Sequence, residues 1–108
     1  MISEQEFSSR CETAMTELYQ ALVAASDSHE FEVDQNAGTI TIEFEEPRAK
    51  FVVSPNSPVR QVWVSALTKS FKFDWDGARN AFVLPEGKTL REMMGEAIST
   101  QMGEDVRL

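Results

Sequence analysis

A helical repeat of hydrophobic residues opens the chain. Between Phe7 and Leu22 the hydrophobic side chains recur every three or four positions, so they would form one face of an amphipathic helix. Ser3 and Glu6 stand just before this run with the spacing of a capping box, in which the serine hydroxyl accepts from the glutamate amide and the glutamate carboxylate bonds back. The sequence therefore predicts a helix that begins at Ser3 and ends in the polar stretch 25–28.

After this helix the pattern changes to the two-residue period of β-strands. The clearest run is Thr39–Glu45, in which three large hydrophobic residues alternate with polar ones. Short turns rich in Asn, Gly, Ser and Pro separate the runs, so we expect consecutive strands to pair antiparallel. The predicted strands are 31–35, 39–45, 49–53, 59–66, 70–75 and 80–84, with a loop at 54–58.

A second helical repeat follows the strands. Thr89 and Glu92 have the spacing of another capping box, and hydrophobic residues then recur at helical spacing until Gly103. Two helices that flank hairpin-linked strands predict the α+β class: a two-layer α-β sandwich with both helices on one face of an antiparallel sheet of about six strands. We expect residues 1–108 to form a single domain. The other face of the sheet would be open to solvent or to a partner.

The fourth and fifth predicted strands place an indole on this open face. If Val62 and Val64 point to the core, the strand alternation turns Gln61 and Trp63 outwards. Lys72 in the next strand would join them, because its aromatic neighbours take the core side. Tryptophan is a preferred anchor in protein interfaces, so Gln61, Trp63 and Lys72 are candidate partner-binding residues. The alternative is a register shifted by one residue, which would bury Trp63.

Charge is distributed unevenly along the chain. The sequence has 18 acidic and 10 basic residues, which give a net charge of −8. Residues 1–46 contain 11 acidic residues and one basic residue, whereas residues 47–91 contain three acidic and eight basic residues. This excess of acid argues against nucleic acid as the main ligand. It favours attraction of cations or of a basic protein, although acidic residues also serve to keep a small protein in solution.

Acidic residues concentrate where the first helix gives way to the first strand. Glu30, Glu32 and Asp34 stand two positions apart, so an extended strand would bring them to one face at a spacing of roughly 6.6 Å. Asp27 and His29 lie beside them. Carboxylate oxygens suit hard cations such as Mg²⁺, Ca²⁺, Mn²⁺ and iron, and an open set of this kind predicts weak, hydrated binding. The alternatives are an edge strand charged against aggregation and a histidine that is merely exposed in a loop.

Residues for catalysis are not recognisable in the sequence. Cys11 falls on the hydrophobic face of the first helix, and the only histidine has no evident Ser or Cys partner. Neither a phosphate-binding glycine loop nor a helical Glu-x-x-His pair of the di-iron kind is present. We therefore expect a protein that is not an enzyme. A single cysteine, no leader and no spanning segment indicate a cytoplasmic protein without membrane contact.

The order of these motifs resembles the frataxin family in its short bacterial form. The specific part is a Gln-Val-Trp-Val-Ser strand at 61–65 followed by Phe-Asp-Trp-Asp-Gly at 73–77. The motif Gly-x-Thr-Leu-Arg-Glu-Met-Met at 87–94 completes the order. The resemblance runs roughly from Phe7 to Met102. It implies the α-β sandwich described above and a role in iron–sulfur cluster assembly.

The resemblance also implies partners and sites. Frataxins bind iron weakly through an acidic ridge on the first helix and first strand, and they bind the cysteine desulfurase and the scaffold protein of cluster assembly. By position, Glu30, Glu32 and Asp34 match the strand part of the ridge, and Gln61 and Trp63 match the exposed residues that meet partners. The implied protein is an iron donor or regulator of that complex, with weakly bound Fe²⁺ or Fe³⁺. We expect a monomer, with a metal-dependent oligomer as a possibility.

The alternative function is a metal-independent acidic interaction module that uses the open sheet face. Two departures from the family pattern bear on this choice. The third strand often ends in asparagine in the family, and the comparable position here is Ser54. The acids that the family usually has at the end of the first helix are replaced here by Gln20, Val23, Ala24 and Ser26.

Overall fold

The computed structural model describes residues 2–108. These residues form two α-helices and six β-strands that make one antiparallel sheet, in which each strand pairs with its neighbours in the chain. The elements are α1 (Glu4–Ser26), β1 (Phe31–Asn36), β2 (Thr39–Glu45), β3 (Arg48–Asn56), β4 (Gln61–Ala66), β5 (Lys69–Asp76), β6 (Ala81–Val83) and α2 (Leu90–Met102). The predicted α+β architecture is confirmed, since both helices bury their hydrophobic faces in the same core as one face of the sheet.

Helix α1 begins where the sequence predicts, but only half of its capping box forms. The Ser3 hydroxyl accepts a hydrogen bond from the Glu6 amide at 3.1 Å. The Glu6 carboxylate does not return to Ser3 and instead lies 3.7 Å from Nε of Arg10, one helical turn further on. The helix places its buried stripe over the sheet with the residues Phe7, Cys11, Met15, Leu18 and Leu22.

The core lies between the helices and the inner face of the sheet. Alternate residues of each strand point into it, as the two-residue period requires. Aromatic rings connect the layers: Phe7 of α1 meets Phe82 of β6 edge-on at 5.8 Å, and Trp75 of β5 meets Phe82 at 5.2 Å between ring centres. The fully buried strand residues include Ile40, Ile42, Phe51, Val53, Val62, Val64 and Phe73.

Strand β3 is longer than the sequence suggests. The predicted loop 54–58 begins as strand, because β3 continues through Pro55, which stands opposite Val62 of β4. Strand β2 accompanies β3 only as far as Val53, so the last residues of β3 have a neighbour on one side alone. A proline without an amide proton is tolerated in such a position. A 3₁₀ turn at Ser57–Val59 then delays the start of β4 to residue 61.

Helix α2 has the complete capping box that its sequence predicts. The Thr89 hydroxyl accepts from the Glu92 amide at 3.2 Å, and the Thr89 amide donates to the Glu92 carboxylate at 3.0 Å. Gly103 ends the helix in the left-handed conformation at φ 68°. The segment after it packs back on α2 and buries Val106. Among residues 2–108, neither helix is both long and apolar enough to cross a membrane.

Candidate functional site

The indole of Trp63 lies on the outer face of the sheet. Its side chain is 38% exposed, while Val62 and Val64 are buried on the inner face, so the register that would bury the indole is excluded. Its Nε1 donates to the Gln61 amide oxygen at 2.9 Å, and the Gln61 amide nitrogen donates to Asp74 at 3.2 Å. These three residues and Lys72, which we call the Trp63 surface, form a connected group on β4 and β5.

Lys72 belongs to this group through both its register and its contact. It stands directly opposite Trp63 in the β4–β5 ladder. Its ammonium lies 4.8 Å from the centre of the indole ring, within the range of a cation–π interaction. The structure thus brings the three predicted partner-binding residues together, as the strand alternation predicts.

Three more polar residues of the same face were not among the predicted partner-binding residues. Ser54 and Asn56 of β3 stand opposite Trp63 and Gln61, and Asp74 of β5 stands opposite Gln61. Because Pro55 and Pro58 are typical of a loop, the sequence predicts a loop at 54–58, and the pairing of these residues with β4 is not predicted. The alternation of β5 places Asp74 on the same face as Lys72, and the structure adds its hydrogen bond with Gln61.

A second group on the outer face is acidic. Glu32 and Asp34 are exposed on β1, while Phe31 is buried on the inner side. Strand β2 adds Glu43 directly opposite Glu32. Glu30 precedes the strand and is also exposed. Like charges opposed across a ladder repel each other, and a bound cation or a basic partner relieves that repulsion. We call Glu30, Glu32, Asp34 and Glu43 the acidic edge.

Part of the acidic edge lines an open groove of about 1030 Å³ where β1 and β2 meet the end of α1 and the C-terminal segment. Arg48 is the one arginine or lysine in its lining. Such a concentration of one sign of charge raises the local concentration of cations. The acidic residues of the lining are Glu30, Glu32, Glu43, Glu45, Glu46 and Glu104.

His29 lies in the groove but is engaged by another residue. Its Nδ1 is 2.6 Å from the Glu104 carboxylate, which belongs to the segment after α2. Asp27 is the C-cap residue that follows α1, and neither Asp27 nor Asp34 lines the groove. Across residues 2–108, no group of three or more His, Cys, Asp or Glu side chains is arranged to hold a metal ion. The donors are therefore spread-out carboxylates, whose oxygens suit iron and other hard cations and which would hold them weakly.

Most acidic residues of the groove were not among the predicted metal ligands. Glu43 could have been found by counting: the hairpin pairs Asn36 with Thr39, and the antiparallel register then sets Glu32 against Glu43. Glu104 has no such local signal, because its contact with His29 joins residues 75 positions apart.

Comparison with known proteins agrees with this architecture. The model of the frataxin-like domain matches residues 1–104. The chain belongs to the frataxin-like family. It is 33% identical over 104 residues to the iron–sulfur cluster assembly protein CyaY of Dechloromonas aromatica, covering 90% of this chain and 97% of that protein. It is also 33% identical over 92 residues to the CyaY protein of Pseudomonas aeruginosa, covering 82% and 84% of the two chains.

Solved frataxin structures share the fold. The frataxin from Psychromonas ingrahamii superposes with a TM-score of 0.78 at 23% identity, covering 98% of this chain and 97% of that one. Yeast frataxin superposes with a TM-score of 0.72 at 19% identity, covering 92% and 82%. These structures confirm the predicted fold, and the match to the frataxin-like domain model together with the CyaY relatives confirms the predicted family.

Proposed function

We propose that this frataxin-like protein takes part in iron–sulfur cluster assembly, as an iron-binding regulator or iron donor of the complex of cysteine desulfurase and scaffold protein. This proposal rests mainly on one observation: the open face of the sheet has two separate surfaces, the acidic edge on β1 and β2 and the Trp63 surface on β4 and β5. The CyaY relatives, which are named as iron–sulfur cluster assembly proteins, support the same role.

The acidic edge would act through electrostatic attraction. Its carboxylates are exposed, so each contact with a cation competes with water and stays weak. A basic patch on the desulfurase would be attracted to the same carboxylates. Because one set of groups would serve both ligands, iron and the desulfurase are expected to compete for the edge. Iron would then be cargo that modulates docking, with Glu30, Glu32 and Asp34 as the main ligands and Asp27 and His29 beside them.

The Trp63 surface would contact the scaffold protein. An exposed indole contributes a large contact area to an interface at a low entropic cost, because only two side-chain torsions must be fixed. Here Gln61 already restricts those torsions through the hydrogen bond to Nε1. Lys72 and Asp74 add charges of both signs around the ring, which favours one orientation of the partner.

In this proposal the protein performs no chemical step itself. Burial raises the pKa of the Cys11 thiol to about 11, so this group stays protonated and poorly nucleophilic near neutral pH. The Nδ1 atom of His29 is occupied by Glu104. These two observations support a binding role rather than catalysis.

The test replaces the strand carboxylates. In the variant Glu30→Lys, Glu32→Lys, Asp34→Lys we expect loss of both the Fe²⁺-induced broadening of amide resonances under anaerobic conditions and the binding of purified desulfurase. The matched control is Glu12→Lys, Glu86→Lys, Asp105→Lys, which changes the net charge by the same amount at three exposed positions outside the groove. The acidic edge would have no part in the mechanism if the strand variant kept both the Fe²⁺-induced broadening and desulfurase binding. The same would follow if only the control variant lost them.

One observation favours a second candidate, the metal-independent acidic interaction module. Within the described residues 2–108, the carboxylates are not gathered into a metal cluster. That candidate predicts that desulfurase binding is lost in the strand variant, while Fe²⁺ changes neither the amide resonances nor the melting temperature of the unmodified protein. The same titration therefore separates the two functions.

A further inference from the structure

A cleft of different character lies at the β6 end of the sandwich. It is bounded by α1, β5, β6 and the first turn of α2, and its volume is about 310 Å³. This size is at the lower end of the range for sites that hold small organic molecules. We call it the Trp75 cleft, after the half-buried indole in its wall. It shares no lining residue with the acidic groove.

The interior of the cleft is apolar and partly aromatic. Leu18, Phe82 and Leu90 are buried core residues that also line it. The Trp75 indole packs edge-on against Phe82, with 5.2 Å between ring centres, and this contact restricts the orientation of the indole in the wall of the cleft. A planar apolar group placed here would exchange water for contacts with these side chains.

The rim of the cleft is positive, in a chain whose net charge is −8. Its charged lining residues are Arg10, Arg91 and Glu17. The amides of Thr89 and Glu92 are engaged in the capping box, and an antiparallel bridge between Val83 and Thr89 engages the chain at Leu90. The Arg91 amide has no acceptor inside the helix, since it belongs to the first turn. The N-terminus of a helix also carries a partial positive charge. The side chains of Arg10 and Arg91 and the positive end of the α2 dipole thus lie beside the Trp75 ring.

We propose that the Trp75 cleft binds a small planar aromatic carboxylate. The ring would lie against Trp75 and Phe82, and the carboxylate would reach the side chains of Arg10 and Arg91 and the Arg91 amide. This site is independent of the proposed role in cluster assembly. The charge of the rim decides the class of ligand, since a neutral ring would leave the two arginines unused and a bare anion would leave the apolar interior wet.

Both arginines have contacts within the protein that a ligand must rearrange. The Arg10 guanidinium lies 5.1 Å from the centre of the Trp75 ring and pairs with Glu6 at 3.7 Å. The Arg91 Nε donates to the Leu108 carbonyl at 2.9 Å. The two arginines are exposed, so these contacts are worth little and move at small cost. If these internal contacts are more favourable than contacts with a carboxylate, no aromatic carboxylate will bind.

The experiment titrates the full ¹⁵N-labelled chain with three probes: benzoate, benzamide and acetate. We expect benzoate to shift the amide resonances of Leu90 and Arg91 and the indole resonance of Trp75 in a saturable way, with a dissociation constant on the order of 1 mM. Benzamide, which lacks the charge, and acetate, which lacks the ring, should bind at least about tenfold more weakly. Shifts that do not saturate, or equal shifts with acetate, would overturn the proposal.

Two single variants test the contacts without touching the core. Arg10→Gln and Arg91→Gln should each weaken benzoate binding about tenfold, the effect of losing one hydrogen bond to a charged group. Lys69→Gln removes the same charge at an exposed position of β5 outside the cleft and should leave the affinity unchanged. Benzoate binding that is indifferent to both arginines, or that is weakened equally by Lys69→Gln, would show that the cleft is not the site.

Discussion

The Lys72 ammonium lies 4.8 Å from the centre of the Trp63 indole, directly across the β4–β5 ladder. On the same indole, Nε1 donates to Gln61, which in turn donates to Asp74. An exposed tryptophan held in this way has lost much of its rotational freedom before any partner arrives. The ordering cost that binding normally incurs is therefore reduced in advance.

The first prediction follows from this arrangement. Trp63→Ala should change the free energy of unfolding by about 1 kcal/mol or less, because the indole packs on the surface and an exposed cation–π contact contributes little. The same change should weaken scaffold binding by about 2 kcal/mol or more, roughly 30-fold, as expected for a central aromatic anchor. Urea denaturation gives the first quantity and calorimetric titration with purified scaffold protein gives the second.

Val23→Ala is the matched control for this substitution. Val23 is exposed to nearly the same degree as Trp63, 39% against 38%, but it lies on α1. It should leave both stability and scaffold affinity unchanged within about 0.5 kcal/mol. A Trp63→Ala protein that unfolds, or that binds the scaffold normally, would contradict a partner role for the indole.

The second prediction concerns alkaline pH and Cys11. Burial raises the pKa of its thiol to about 11, from 9.0 for a free thiol. As pH rises above about 9, the unfolded chain loses this proton while the folded chain keeps it, so the stability of the fold falls. The slope contributed by one such group is at most about 1.4 kcal/mol per pH unit between the two values.

The measurement compares urea unfolding of the parent chain and of Cys11→Ala between about pH 8 and 10.5. The variant loses packing, so it should be less stable at pH 8, by about 1 kcal/mol. The gap between the two proteins should narrow as pH rises and reverse by about pH 10, since only the parent carries the thiol. Two parallel stability curves would show that the thiol is as accessible in the fold as in the unfolded chain.

The third prediction concerns acid pH and the capping box of α2. The hydrogen bond that the Thr89 amide donates, and next to it the nearby Thr89 side chain, lower the pKa of the Glu92 carboxyl below its ordinary value of 4.5. A lowered pKa in the folded state means that the stabilisation is present above pH 4.5 and is lost as pH falls through the lower, folded value. Glu92→Gln should therefore remove part of the acid sensitivity of the protein, while Glu86→Gln, at an exposed loop position, should not.

The hydroxyl half of the same box is tested separately. Thr89→Ala should lower the free energy of unfolding by about 1 kcal/mol at neutral pH, the usual effect of deleting an N-cap side chain. Thermal unfolding at neutral and acid pH checks both changes. If Glu92→Gln and the parent chain lose stability in parallel on acidification, the box does not hold the carboxylate in its charged form.

Local patterns were sufficient where neighbouring residues decide the structure. The alternation of Val62, Trp63 and Val64 predicts which side of β4 is buried, because successive side chains of a strand point to opposite faces of the sheet. The spacing of Thr89 and Glu92 predicts the start of α2 for a similar reason, since the box closes within one turn.

Local patterns failed where distant segments decide the structure. Pro55 is typical of a loop, yet it is accommodated in β3 because β2 no longer pairs with that part of the strand. The contact of His29 with Glu104 depends on where the chain runs after α2, which no periodicity near either residue reveals. The positions of the acidic and aromatic surfaces were thus predictable, whereas the closure of the acidic groove by the C-terminal segment was not.

The last prediction concerns this C-terminal segment. Val106 is only 3% exposed, and its amide donates to the Ser99 hydroxyl of α2 at 2.9 Å. Val106→Ala removes two buried methyl groups and should lower the free energy of unfolding by about 1–3 kcal/mol. Ser99→Ala leaves the Val106 amide without its acceptor and should cost about 1–2 kcal/mol.

In a domain of this size each kcal/mol lowers the melting temperature by about 4–8 °C, so calorimetry resolves both effects. Because Val106 and Ser99 contact each other, the double variant should lose less than the two single losses combined. Arg107→Ala is the control, since this neighbouring side chain is exposed and pairs only with Asp105 within the described residues. Equal melting temperatures for Val106→Ala and Arg107→Ala would mean that the segment after α2 does not hold to the helix in solution.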